Sequence, residues 1–213
     1  MLSLLLASFV TFFVAIDPVA MAPMFATMTA KMTPAWRNYM AWKSIGIATA
    51  ILMAFAFGGA WLLEQIHVSI DAFRIAGGLL LFLIAVDMLF EKRSERREER
   101  AEEVAAHNAT QPGHNDDISV FPLAIPLIAG PGAIASIMLF FAQHEGALER
   151  AWILSGMALN LILCLLAFLA AGPLSKFMGQ TVANMLTRIF GILLAALAAQ
   201  FVVDGIKNAF GLG

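Results

Sequence analysis

Apolar residues in this chain gather into six runs long enough to cross a lipid bilayer, and two of those runs are broken by proline. The runs fall at about 2–29, 44–63, 73–90, 119–142, 151–171 and 188–206. A spanning helix needs about 20 predominantly apolar residues, because each residue advances about 1.5 Å through a hydrocarbon core about 30 Å thick. With 61% of its 213 residues hydrophobic and 13% charged, the chain has more apolar surface than a soluble domain of this size could cover. The sequence therefore predicts an all-α polytopic membrane protein with six transmembrane helices.

The breaks are the informative part. The first run reads FVAIDPVAMAP and carries Asp17, Pro18 and Pro23. The fourth reads PLAIPLIAGPG and carries Pro122, Pro126 and the Gly130-Pro131-Gly132 turn. Proline has no backbone N–H and clashes with the carbonyl one turn back, so neither run continues as one regular helix. Irregular backbone at membrane depth survives only where it is buried in protein or lines a polar cavity.

The two breaks also correspond to each other. RIAGGLLLFLIA, from Arg74, matches RIFGILLAALAA, from Arg188, and AWKSIGIA, from Ala41, matches AWILSGMA, from Ala151. These matches and the two broken runs come in the same order, so the chain divides into a first three-helix repeat (1–90), a charged cytoplasmic loop (91–117) and a second three-helix repeat (118–213). Three spans carry the chain across the membrane, so the second copy is expected upside down relative to the first, with helices 1 and 4 discontinuous. Paired interruptions in inverted repeats point to a midplane binding site.

Orientation follows from the basic residues. With the N-terminus outside, ten of the thirteen Lys and Arg residues fall on the inner side, which places both termini on the periplasmic or extracellular face. The charged loop, beginning EKRSERREERAEE, has acid–base pairs at helical spacing. It reads as a solvated extension of the third helix followed by a linker.

A broken helix supplies what a continuous one consumes internally. Half-helix N-termini offer amide donors and a positive dipole end to a carboxylate; freed carbonyls suit an ammonium or small cation. The candidate substrate-binding positions are Asp17, Pro18, Val19, Ala20 and Met21 at the first break, and Pro126, Ile128, Ala129, Gly130, Pro131 and Gly132 at the second. Their small, neutral walls favour a small neutral amino acid. Asp17 is also the candidate for ion or proton coupling, because a carboxylate inside a span costs about 2.5–3.5 kcal/mol and is functional by default. A plain N-cap before Pro18 is the competing role.

Other polar residues are weaker candidates. Asn160 and Gln200 read first as interhelical hydrogen-bond donors. Arg74 and Arg188 are equivalent in the repeat, with Asp71 or Glu64 expected to hold Arg74. Asp87 is expected to reach Lys92 or Arg93, and Asp204 to pair with Lys207 or with solvent. The glycine pairs Gly58-Gly59 and Gly77-Gly78 read as close helix packing. No metal spacing, cofactor motif or basic stripe for nucleic acid is visible, and Cys164, the only cysteine, reads as core filler. The expected partners are a small amino-acid substrate and the bilayer, with self-association left open.

The sequences FVAIDPVAMAP, FRIAGGLLLFLIAVDMLF, FPLAIPLIAGPGAI and TRIFGILLAALAAQFVVDGI together resemble the MarC family, also called the neutral amino-acid transporter family. The resemblance implies six helices in two inverted repeats, residence in the cell inner membrane, and transport of glycine, alanine and similar amino acids by some members. It implies a substrate site formed by the discontinuous helices, around Asp17, Pro18 and Val19 and around Ile128 to Gly132. Family members often have a smaller residue where this chain has Val19, which leaves a tighter pocket or a changed substrate open. The expected function is secondary transport coupled to H+ or Na+, with no cofactor and no enzymatic activity. The alternatives are a non-transporting scaffold or sensor, or an intramembrane aspartyl protease drawing on Asp17, Asp87 and Asp204.

Overall fold

The first broken run becomes two helices, α1 (Leu2–Ile16) and α2 (Pro18–Met28), joined by the single residue Asp17 at φ 60° and ψ 66°. A computed structural model of the chain describes the backbone of residues 1–110, 117–171 and 180–211, and among the described residues every regular element is helical. Left-handed backbone is uncommon outside glycine, and aspartate is among the few residues that adopt it readily. Pro18 then occupies the first position of α2, where a missing N–H costs nothing.

Helix α3 (Pro34–Gln65) starts at Pro34, with Thr33 accepting from the Trp36 amide as N-cap. It therefore begins well before the apolar run at 44, because the Thr-Pro start signal outweighs the polar content of its first turns. Helix α4 (Ile70–Leu89) is capped by Ser69 through the Ala72 amide. Helix α5 (Lys92–Thr110) follows a sharp turn at Glu91, which has φ 61°.

The second broken run is more irregular. In the segment Ser119–Ile128, Phe121 and Ile125 have extended backbone, and each precedes a proline that disfavours the helical region. The chain there makes wide turns, with Leu123 N donating to the Ile118 carbonyl at 3.3 Å and Ala129 N to the Ala124 carbonyl at 2.9 Å. Helix α6 (Pro131–Gln143) leaves this segment at an angle of 56°. Two long helices complete the described fold, α7 (Ala147–Leu169) and α8 (Gln180–Ala209). Among the described residues, five helical stretches are long and apolar enough to span a membrane, with α1 and α2 counted together, and a sixth is reached when the bent pair counts as one span. Large apolar side chains such as Leu6, Phe57, Leu83, Leu166 and Ile192 lie exposed on their outer faces, as a lipid-facing surface requires.

The interior falls into two clusters. The larger joins α1, α2, α3, α6 and α7 through side chains such as Phe12, Met40, Leu52 and Ile137, with Phe25 stacked on Phe168 at 4.3 Å. The smaller joins α4 and α8, with Leu139 of α6 and Val14 of α1 against them. A Cβ on Gly78 would lie 2.9 Å from the Ala198 carbonyl oxygen, and one on Gly205 would lie 3.1 Å from that of Asp71. Gly191 approaches Ala85 in the same way, at 3.2 Å. The numbering runs in opposite directions, so α4 and α8 are antiparallel, brought together by small residues.

Helix α5 departs from the sequence reading. It does not run on from α4 into water but turns back against α2. Arg97, Ala101 and Val104 form its inward stripe, with Ala101 in the larger core cluster and Val104 packed on it. The spacing is i, i+4, i+7, one face of an α-helix. Residues 111–116 of the expected linker, and Lys176, lie outside the described residues.

The α4–α8 contact makes a direct stability prediction. Gly78→Ala should lower the thermal unfolding midpoint of the detergent-solubilised protein, costing about 1–3 kcal/mol by overpacking against backbone atoms that cannot yield. Gly46→Ala, where an added Cβ meets nothing within 4 Å, should leave it unchanged or slightly higher. Equal midpoints for the two variants would refute the close-contact argument.

Candidate functional site

Asp17 is fully buried at the junction of three elements. Its Oδ1 accepts from the Ala20 amide at 3.3 Å, the expected N-cap of α2. Its Oδ2 accepts from Arg97 Nη1 at 3.3 Å and from Thr187 Oγ1 at 3.4 Å. Arg97 Nη2 also donates to the Ile16 carbonyl at 3.3 Å, the last residue of α1. One carboxylate thus ties the broken first span to α5 and to α8. Burial pushes the Arg97 guanidinium below its ordinary value and the Asp17 carboxylate opposes that; arginine starts high enough to remain a cation.

Two further ion pairs fix α5 from its other sides. Arg96 Nη1 lies 3.1 Å from Asp87 Oδ2 on α4, and Arg188 Nη2 of α8 lies 2.6 Å from Glu91 Oε1 at the turn into α5. A separate pair, Lys43 with Asp117, holds the start of the 119–128 segment to α3. Hydrogen bonds from Lys43 and then Ser119 keep the Asp117 carboxyl below the usual carboxylate range.

Beside Arg97 opens a cavity of about 290 Å³. One wall is the second break, supplied by Pro126, Leu127, Gly130, Pro131 and Gly132; the facing wall is Arg96, Arg97 and Arg100 of α5 with Asp87 of α4. Ala15, Leu80 and Ile84 give it an apolar side. The turn needs its glycines. A Cβ at Gly130 would sit 2.4 Å from the Pro126 carbonyl oxygen, and one at Gly132 would meet Ile84 at 3.1 Å. Gly130 is the N-cap of α6 without a side-chain cap, and Pro131 follows it. The amides of the first turn of α6 are therefore free of intrahelical partners and carry the positive end of its dipole. Arg100 lies over the Phe121 ring at 5.7 Å. The chamber combines the cationic Arg97 and Arg100 with one carboxylate, Asp87, which is shared with Arg96; an anionic group fits beside the first two, and a cationic group beside the last.

The residues expected from the sequence divide by position. Pro126, Gly130, Pro131 and Gly132 line the cavity, and Asp17 reaches it through Arg97. Pro18, Met21, Ile128 and Ala129 are buried in the surrounding core, and Val19 and Ala20 are half-buried on α2. Asn160 Nδ2 donates to the Phe9 carbonyl at 2.8 Å and to that of Gly156 at 3.0 Å, fastening α7 to α1. Arg74 is buried with Asp71 at 3.8 Å. Gln200 donates to Asp204 at 2.7 Å and Asp87 pairs with Arg96; the Arg93 side chain, an expected partner of Asp87, lies outside the described residues. The sequence reading gave Arg96, Arg97 and Arg100 no part in the site. The signal that could have found them is the small and apolar stripe of Ala101 and Val104, which puts Arg97 on the same inward face.

Comparison with known proteins agrees with this architecture. A family model described as MarC family integral membrane protein matches residues 2–210. A UPF0056 membrane protein of Methanocaldococcus jannaschii is 35% identical over 202 residues, covering 95% of each chain. The UPF0056 membrane protein YvbG of Bacillus subtilis is 34% identical over 99% of this chain and 97% of its own. YhcE of Escherichia coli, another UPF0056 membrane protein, is 35% identical over 95% of this chain and 91% of its own. No solved structure matches significantly.

The buried pair predicts an asymmetric mutational response. Arg97→Met strands a fully buried carboxylate and should cost about 3–5 kcal/mol, the usual penalty for breaking a buried ion pair from one side. Adding Asp17→Asn to that variant removes the stranded charge, keeps the cap on Ala20, and should recover most of the loss. Thermal unfolding of wild type, Arg97→Met and the double variant measures this. A double variant no more stable than Arg97→Met would show that the pair is not the source.

Proposed function

The chain belongs to the MarC family of integral membrane proteins, and from that premise we propose that it is a secondary transporter of small neutral amino acids, coupled to H+ or Na+. The observation that carries this reading is the cavity at the second break, where the α6 N-terminus, Arg97 and Arg100 share a small chamber with the Asp87–Arg96 pair. A zwitterion fits that chemistry. Its carboxylate goes to the helix N-terminus and guanidinium side, and its ammonium goes to Asp87. The remaining wall is Ala15, Leu80, Ile84 and Leu127, which leaves apolar space for an uncharged side chain. At about 290 Å³ the chamber is at the lower limit of small-molecule sites and large enough for a single amino acid.

The basic residues of α5 and of the α2–α3 turn orient the chain with both termini outside the cytoplasm, in a cell inner membrane. The cavity, lined by arginines of α5, then lies toward the cytoplasmic side. The antiparallel α4–α8 pair, with Gly78 and Gly191 each entering the other helix, supports the inverted arrangement of the two repeats. A scaffold or sensor would bind the amino acid without moving it. The protease alternative needs two carboxylates sharing a proton, whereas Asp17, Asp87 and Asp204 are held by three different partners.

Reconstituted protein should move labelled glycine, alanine or serine in proteoliposomes under an imposed H+ or Na+ gradient. Gly132→Val should reduce that flux at least tenfold by filling the chamber. Binding without flux would favour the sensor; absence of both, or full flux in Gly132→Val, would overturn the proposal.

A further inference from the structure

We propose that Arg97 is an exchangeable partner, which the carboxylate of the transported amino acid takes from Asp17 while Asp17 takes up a proton, so that amino acid and proton cross together. This rests on the transporter reading above and specifies its coupling. Arg97 is one side chain serving two clients. Its Nη1 holds Asp17 and its Nη2 holds Ile16, while the same side chain lines the cavity. A guanidinium has five N–H donors in one plane, so an anion arriving in the cavity meets a cation already turned toward it. Bidentate pairing with a free carboxylate competes directly with the single bond to Asp17.

Among the described residues, Asp17 has no second cation within hydrogen-bond reach. Around it, α5 offers Arg97, α8 offers the neutral Thr187 hydroxyl, and α2 offers the Ala20 amide. The titratable group facing it from α7 is the Cys164 thiol, which interacts electrostatically with both Asp17 and Arg97. Helix α6 has no titratable side chain in its sequence. Arg96 is committed to Asp87 and Arg100 lies over Phe121. A fully buried carboxylate deprived of its cation is neutralised by binding a proton.

The balance closes. Before exchange, Asp17 carboxylate and Arg97 guanidinium cancel. Afterwards the substrate carboxylate cancels Arg97, the substrate ammonium shares the Asp87 carboxylate with the exposed Arg96, and Asp17 is a neutral acid. One proton and one positive charge therefore accompany each amino acid.

The test uses full-length protein in detergent with alanine as the probe, in lightly buffered solution with a pH-sensitive dye. Wild type should take up about one proton per alanine bound, and its affinity should fall as pH rises, by up to about tenfold per pH unit for a single linked proton. Asp17→Asn should bind alanine several-fold more tightly, because Arg97 is no longer contested, with no proton uptake and no pH dependence. Arg97→Lys keeps the charge but loses the bidentate fork, so it should retain proton uptake and bind at least tenfold more weakly. Alanine binding by wild type without proton uptake, uptake persisting in Asp17→Asn, or unchanged affinity in Arg97→Lys would each overturn the exchange and leave the transporter reading standing. Wild type that neither binds nor moves any small amino acid would overturn both.

Discussion

The contact between Asp17 and Arg97 is the point from which the rest of the structure is arranged. A carboxylate at the end of α1 and a guanidinium on α5 are each too costly to bury alone, and each is affordable beside the other. Their pairing draws a highly charged helix against the membrane-spanning bundle, against its preference for water. Arg96 with Asp87, and Glu91 with Arg188, then fix how α5 lies. Without the central pair, those two partly exposed contacts would be weak surface interactions.

The two interrupted spans are built differently and contribute differently. The first loses its continuity at a single residue and continues as α2, so its product is a placed side chain. The second loses several turns and bends by 56°, so its product is a hollow with free amides at one edge. The charged side chain of one break is carried to the hollow of the other by an element that belongs to neither. The cavity is thus a joint construction of the second break, α1, α4 and the connecting helix α5.

Much of this was legible in the sequence. The six spans follow from apolar length, and the breaks at Asp17-Pro18 and around Pro126 follow from what proline does to a helix. Pro126, Gly130, Pro131 and Gly132 are where a broken helix had to open. Asp17 stood out because lipid does not tolerate a lone carboxylate. The fate of α5 was not legible in the same way, because a run such as RSERREERAEE satisfies every local criterion for a solvated helix. What overrides those criteria is a contact 80 residues away in the chain, and local pattern carries no record of it. Val19, Ala20 and Met21 illustrate a second limit, since a break can be located without knowing which face of the following helix meets the cavity.

That separation along the chain also has a consequence for how the protein is made. The first span reaches the bilayer when Arg97 has yet to be synthesised, and at about 5–20 residues per second the partner arrives roughly 4–16 s later. During that interval Asp17 is an unpaired acid in a nascent segment. The insertion of Leu2–Met28 must be carried by its own apolar residues, whose mean hydropathy reaches 2.1 over the best window. The extreme apolarity of the first sixteen residues is then a requirement of biogenesis as well as of the finished fold. It holds the span in the membrane until the ribosome delivers the cation that completes it.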